Sequence, residues 1–249
     1  MTDNLGAKIV ILLSGGMDST TLLYKAKDEG FSVHAIAFDY GQKHIRELAA
    51  AGNVAKACPA DSFTLINLTS VHDAFLNRAE SSQTNPDFAV PHGHYADDNM
   101  KITIVPNRNM MMLAIAASYA ITIKARTIGY AAHAGDHAIY PDCRTNFINS
   151  MRVALGLCHQ LALNDDSINL YTPFEKMWKH EIVREGILLD VPYRLTWSCY
   201  EGEMDHCGLC GTCVERKEAF ELAGFKDPTR YAVNDLVGLP DTEGNTIRR

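Results

Sequence analysis

The stretch KIVILLSGGMDSTTLLYKAKDEG, residues 8–30, constrains this chain more than any other. Its unbroken apolar run reads as a strand covered on both faces, and the helical pattern from residue 19 ends at Gly30. Two glycines, an aspartate and several hydroxyl residues fill the turn between them. Backbone N–H groups at such a turn, together with the positive end of the helix, make a seat for an anion, most naturally phosphate. Ser14, Ser19 and Thr20 add hydroxyl donors. Asp18 would repel phosphate directly, so its expected tasks are capping the helix or holding Mg²⁺ beside the phosphates. Neither G-x-x-x-x-G-K-[ST] nor G-x-G-x-x-G fits the spacing.

The same alternation continues along the chain. Strands are expected at 33–39, 63–68, 127–132 and 168–171, and helices at 45–57, 109–124, 145–163 and 179–188. Strands alternating with helices imply parallel pairing with right-handed crossovers, hence a doubly wound α/β sheet. Sites in such sheets lie beyond the carboxyl ends of the strands, where the Ser14 loop, Asp39 and the segment after Ala132 should converge. Residues 79–99 are polar and irregular, which predicts a functional flap or a disordered stretch. The length of 249 residues suits one α/β unit, 1–195, with a small appendage, 196–249. A net charge of −7 argues against a surface that grips nucleic acid broadly. No apolar run reaches a membrane span and no signal-peptide pattern opens the chain, so a cytoplasmic location is expected.

Four of the seven cysteines crowd into TWSCYEGEMDHCGLCGTCVER. Cys199, Cys207, Cys210 and Cys213 follow C-x7-C-x2-C-x2-C, with glycines at 208 and 211 turning the chain between them. Four thiolates suit tetrahedral Zn²⁺ in a closed structural site. An iron–sulfur cluster is the rival, although no fourth cysteine is followed by proline. His206 could stand in for one cysteine. Cys58 and Cys158 read as core thiols, and the histidines of PHGHY lack nearby ligands.

Three further sites belong to the carboxyl edge. Asp39 closes the second strand in AFDYGQKH. Arg108 opens a helix in VPNRNMMML, and Asp142 and Arg144 stand in YPDCR. A carboxylate can accept two parallel N–H bonds from a guanine-like edge, and an arginine can pair with a substrate carboxylate. Lys179 would offer a point charge to phosphates if its helix begins beside the Ser14 loop.

The pattern S-G-G-x-D-S resembles the PP-loop of the ATP pyrophosphatases, the adenine nucleotide alpha hydrolase-like proteins. With FDYGQKH, VPNRNMMML, YPDCR and the cysteine segment in order, the resemblance narrows to the 7-cyano-7-deazaguanine (preQ0) synthase family of queuosine biosynthesis, over residues 8 to about 225. That resemblance implies a ligase using ATP, Mg²⁺, ammonia and 7-carboxy-7-deazaguanine, with structural Zn²⁺, and commonly a homodimer. It implies that Leu13, Ser14, Gly15, Gly16, Met17, Asp18, Ser19, Thr20, Thr21 and Asp39 bind ATP. Arg108, Tyr140, Asp142 and Arg144 would bind the deazaguanine, and Asp18, Lys179 and Arg108 would act in catalysis. No direct nucleic-acid or membrane partner is implied.

The chain departs from the family pattern before YPDCR. Asp136-His137-Ala138-Ile139 replaces Asp, aromatic, Ser, Gly, and Asn107 replaces a glycine, a milder change because Asn tolerates left-handed backbone. The first change raises the alternative of a reaction stopping at the amide, or of an altered deazapurine. A tRNA-thiolating or lysidine-forming enzyme, with Cys143 as a thiol nucleophile, and a non-enzymatic zinc module are the other readings.

Overall fold

The computed structural model describes residues 4–94, 98–159, 166–201 and 204–233. Five parallel strands form one sheet: β1 (Lys8–Leu12), β2 (Ser32–Asp39), β3 (Ser62–Asn67), β4 (Thr127–Gly129) and β5 (Asn169–Tyr171). Their order is β3-β2-β1-β4-β5, so the winding reverses between β1 and β4. The helices are α1 (Met17–Asp28), α2 (Arg46–Ala57), α3 (Thr69–Ala74), α4 (Arg108–Thr122), α5 (Thr145–Leu157), α6 (Lys179–Leu188) and α7 (Gly211–Ala223). Among the described residues, no helix is long and apolar enough to cross a membrane.

Both faces of the sheet are covered around β1, β2 and β4, while Phe63 and Leu65 of the edge strand β3 stay exposed. Ile9 and Ile11 point to one face with Val33 and Ala35, where Leu22 and Leu23 of α1, Val54 of α2 and Ile182 of α6 cover them. Val10, Ile36 and Ile128 point to the other, under Leu113, Ala116 and Ala120 of α4 and Ile148 of α5. Alternation of side chains along each strand produces this division. Truncating Leu113, which is fully buried, to alanine would cost about 2–5 kcal/mol.

The expected elements are present with shifted ends. The fourth strand stops at Gly129 rather than 132, and α5 ends at Leu157; residues 160–163 of the expected helix lie outside the described residues. Helices α3 and α7 have no counterpart among the expected elements. Within the 79–94 stretch only residues 81–85 are buried: Ser82 N–H donates to Ile102 O and Lys43 N–H to Gln83 O, while Pro86, Asp87 and Ala89 are exposed. Residues 95–97 of the expected flap, and 234–249 of the expected appendage, lie outside the described residues.

The cysteine segment packs onto the α/β body through α7. Phe220, Ala219 and Ala223 meet Val183 of α6, Tyr193 and Met17 of α1. Arg216 is fully buried and locks the junction, donating to Thr196 Oγ1 at 2.7 Å, to Tyr193 O and to Asp227. A buried guanidinium is tolerable there because its donors find acceptors.

Candidate active site

A cleft opens at the carboxyl ends of β1, β2 and β4, where the sheet order reverses. Its first wall is the loop after β1. Gly15 has φ of +86°, and a Cβ there would collide with Glu47 O, so only glycine fits. Ser14 Oγ and Ser19 Oγ lie 3.0 Å apart, and Ser14 Oγ accepts the Gly16 N–H at 3.2 Å. Leu13, Ser14, Gly16, Met17, Asp18 and Ser19 line the cleft.

Thr20, Thr21 and Asp39, also expected to bind ATP, are not on its surface. The Thr20 hydroxyl donates back to Gly16 O at 2.7 Å and that of Thr21 to Met17 O at 2.8 Å. Such bonds inside the first turn of a helix are a common sink for a hydroxyl. Asp39 falls on the opposite side of β2 from Ile36, Phe38 and Tyr40, which alternate into the cleft. Its carboxylate instead accepts the Gly41 N–H and forms the turn.

Beside the loop lies a buried charge cluster assembled from distant parts of the chain. Lys179, the first residue of α6, places Nζ 3.4 Å from Asp18 Oδ2 and pairs with Glu215 of α7. His133, 1% exposed, has Nε2 3.4 Å from Asp136 and 3.7 Å from Asp18. Burial opposes ionisation of Asp18, yet Lys179 and His133 hold its carboxyl well below the usual range. Burial likewise disfavours the His133 cation, but Asp136 and Asp18 outweigh it and raise the imidazole to about 9. Glu215 is pushed up to about 7 by burial, against the pull of Lys179. His133, Asp136 and Glu215 are not among the expected site residues; nothing local in the sequence links them to Lys179.

The far end of the cleft is aromatic. Arg108, the first residue of α4, donates to Tyr40 Oη at 3.0 Å and lies over the Tyr40 ring. Tyr140 and Tyr200 complete the surround, and Tyr140 Oη pairs with Thr103 Oγ1 at 2.6 Å. Burial pushes the Tyr40 phenol up to about 12, with Arg108 pulling the other way, so it stays neutral. Asn107 caps this helix with a φ of 54°, the left-handed geometry its side chain tolerates.

YPDCR contributes unevenly. Tyr140 and Cys143 line the cleft, whereas Asp142 and Arg144 do not. The Asp142 carboxyl is raised by burial despite the field of Arg108, and one of its oxygens is buried without a hydrogen-bond partner. Arg144 is exposed, its guanidinium turned onto the carbonyls of His137 at 2.7 Å and Ala138 at 3.3 Å. In the segment that departs from the family pattern, Ile139 sits in the core with φ of −96°, so no glycine is needed.

The cysteine segment forms the third wall. Cys199, Cys207, Cys210 and Cys213 bring their sulfurs within 4.8 Å of one another, with two opposite edges of 3.9 Å. The Cys207 N–H donates to the Cys199 sulfur at 3.2 Å, and the Cys210 N–H to the Cys207 sulfur at 3.2 Å. Thiolates that hold a metal need such support. His206 takes no part: its Nε2 accepts the Ser198 N–H at 3.0 Å. Trp197, Ser198, Tyr200 and Thr212 of this segment line the cleft, and Trp197 N–H donates to Gly15 O at 2.9 Å. Gly208 has φ of +83° and no room for a Cβ against Val233 O.

A glycine-bearing loop that opens a helix where a parallel sheet reverses, walled by a four-cysteine cluster, marks a doubly wound α/β protein with an anion-seating cleft. Within that class, the family model of queuosine biosynthesis protein QueC matches residues 8–224, and the chain belongs to that family. Similar relatives include the 7-cyano-7-deazaguanine synthase of Caldicellulosiruptor bescii, 48% identical over 91% of this chain and 98% of that one. That of Methanoregula boonei is 51% identical over 90% of this chain and 99% of the other. Among solved structures, NMN synthetase from Francisella tularensis aligns at 16% identity and TM-score 0.45, over 90% of this chain and 79% of that one.

Proposed function

We propose that the chain is an ATP-dependent ligase that converts 7-carboxy-7-deazaguanine and ammonia to 7-cyano-7-deazaguanine for queuosine biosynthesis. One observation carries the reading beyond the family: the anion-seating loop with Lys179 and the phenol-ringed Arg108 face one cleft. The loop N–H groups and Ser14 seat the ATP phosphates, and the apolar floor of Leu12, Ile36, Phe38 and Met112 takes the base. Arg108, with Tyr140 and Tyr200, holds the substrate carboxylate, and Asp142 acts on the substrate through Arg108.

The carboxylate attacks the α-phosphorus, pyrophosphate leaves toward Lys179, and ammonia captures the acyl-adenylate as an amide. A second ATP activates the amide oxygen, and loss of AMP leaves the nitrile. Positioning and fixed charge supply the catalysis. Asp18 Oδ1 is buried without a hydrogen-bond partner, which fits a Mg²⁺ held beside the phosphates to offset their charge. The sulfur edges of 3.9 Å fit Zn²⁺ in a closed site that holds the wall in place. We read residues 196–233 as that wall, and the protein as a cytoplasmic homodimer acting on small molecules without nucleic acid or membrane.

The amide-stopping alternative is not favoured, because relatives 48% and 51% identical are 7-cyano-7-deazaguanine synthases, and Ile139 fits the 136–139 turn without strain. Mass spectrometry after incubation with Mg-ATP, ammonium and 7-carboxy-7-deazaguanine should show nitrile, AMP and pyrophosphate. Lingering amide, or no turnover of this acid, would overturn the proposal.

A further inference from the structure

A side cavity lies between the 86–90 stretch and the turn at residues 43–44, lined by Lys43, His44, Phe88, Val90, Tyr200 and Glu201. It shares His44 and Tyr200 with the cleft, so these two side chains form the wall between the spaces. His44 is buried, with Nε2 3.4 Å from Glu47 Oε2 and Nδ1 enclosed without a hydrogen-bond partner. Its ring stands 5.0 Å from that of Tyr200, whose phenol is among the groups surrounding Arg108. The side cavity and the end of the cleft where the substrate carboxyl is held are therefore neighbours across His44 and Tyr200.

We propose that this cavity admits ammonium and that His44 is the base that frees ammonia for attack; the inference rests on the ligase reading above. Ammonium is the dominant form at neutral pH and has no lone pair. While the acyl-adenylate fills the cleft, the nucleophile needs a second way in. Glu47 behind His44 favours a small cation and the Tyr200 ring adds its face, whereas Glu201 at the cavity is already paired with His92 at 2.7 Å. Lys43, the cation of the cavity wall, donates to Phe88 O at 2.8 Å. An Nε2 proton facing Glu47 Oε2 at 3.4 Å would leave the Nδ1 lone pair to act.

Ammonium gives one proton to His44 Nδ1. The ammonia lone pair forms the C–N bond at the acyl carbon, and the bond from that carbon to the phosphate oxygen breaks, its electron pair leaving with AMP. The surplus proton on nitrogen passes to water, the amide remains, and His44 returns its own proton to water.

The test uses the metal-loaded full chain carrying His44→Gln or, separately, Ala89→Trp, an exposed position on the rim of the side cavity. Pyrophosphate exchange into ATP, driven by 7-carboxy-7-deazaguanine without ammonium, reports activation alone. Exchange should stay within about twofold of the parent in Ala89→Trp, and in His44→Gln kcat/KM for ammonium should fall about a hundredfold further than exchange does. Hydroxylamine is largely unprotonated at neutral pH, so its hydroxamate should still form in His44→Gln. Ala89→Trp should raise only the KM for ammonium. Ammonium kinetics unchanged in both variants, or equal loss of the ammonium and hydroxylamine reactions, overturns the proposal. Absence of exchange in the parent would instead sink the ligase reading.

Discussion

The two ends of the cleft handle charge in opposite ways. At the loop end, Asp18, Lys179, His133, Asp136 and Glu215 neutralise one another before any ligand arrives. At the aromatic end, Arg108 makes its hydrogen bond to a neutral phenol, and its neighbours Tyr40 and Tyr200 are held protonated by burial. A cation whose hydrogen bond goes to a neutral phenol is ready for an anion; a cation already held between carboxylates is ready to follow a charge that moves. The first arrangement suits recognition of a carboxylate. The second suits a phosphate chain whose charge shifts as pyrophosphate departs.

Both ends lean on the cysteine wall, so losing it gives the largest expected effect. Cys210→Ser, or removal of the metal by a chelator, should free Trp197 from Gly15 and Tyr200 from Arg108 together. Activity should vanish and the melting temperature drop. Metal content measured beside activity checks this, and a metal-free protein with full activity would refute it.

The ends should then separate under single substitutions. Lys179→Met should lower kcat roughly 10²–10³-fold with little change in the KM for the deazaguanine acid, since the lost charge acts on the leaving group. Arg108→Gln should do the reverse, raising that KM about tenfold to a hundredfold, as expected for a charge-assisted hydrogen bond, with the KM for ATP nearly unchanged. Steady-state kinetics with each substrate varied would show the split. If both variants changed the same parameter, the two ends would not be distinct.

What could be read from the sequence follows the same division. The loop, the cysteine spacing and Arg108 are local patterns, and the strand–helix alternation places them at one edge of the sheet. The features that the sequence leaves out are local as well. A sequence does not show that Thr20 and Thr21 spend their hydroxyls on the preceding turn, or that strand parity turns Asp39 away from Tyr40. Nor does it show that Arg144 donates to the 137 and 138 carbonyls. The remainder of the charge cluster around Asp18 and Lys179 was beyond reach for another reason. Glu215 meets Lys179 only because α7 packs on α6, and that packing is set by Phe220, Ala219 and Val183 rather than by any motif.

The smallest expected effect tests whether the loop end is balanced as described. His133 is raised from 6.5 to about 9 in the folded chain, chiefly by Asp136 and Asp18 acting against burial. A group with a raised pKa adds stability that is complete below its unfolded value and disappears as pH climbs through the folded one. The melting temperature should therefore decline between pH 6.5 and about 9, and His133→Gln should flatten most of that decline. Glu215, raised to about 7, acts with the same sign, so a shallow slope should persist around neutrality in the variant. Arg108→Gln should leave the slope as it is, because the aromatic end lies outside this cluster. A parent whose decline is no steeper than that of His133→Gln would mean that His133 is neutral in the fold, and that Asp18 is balanced by Lys179 alone.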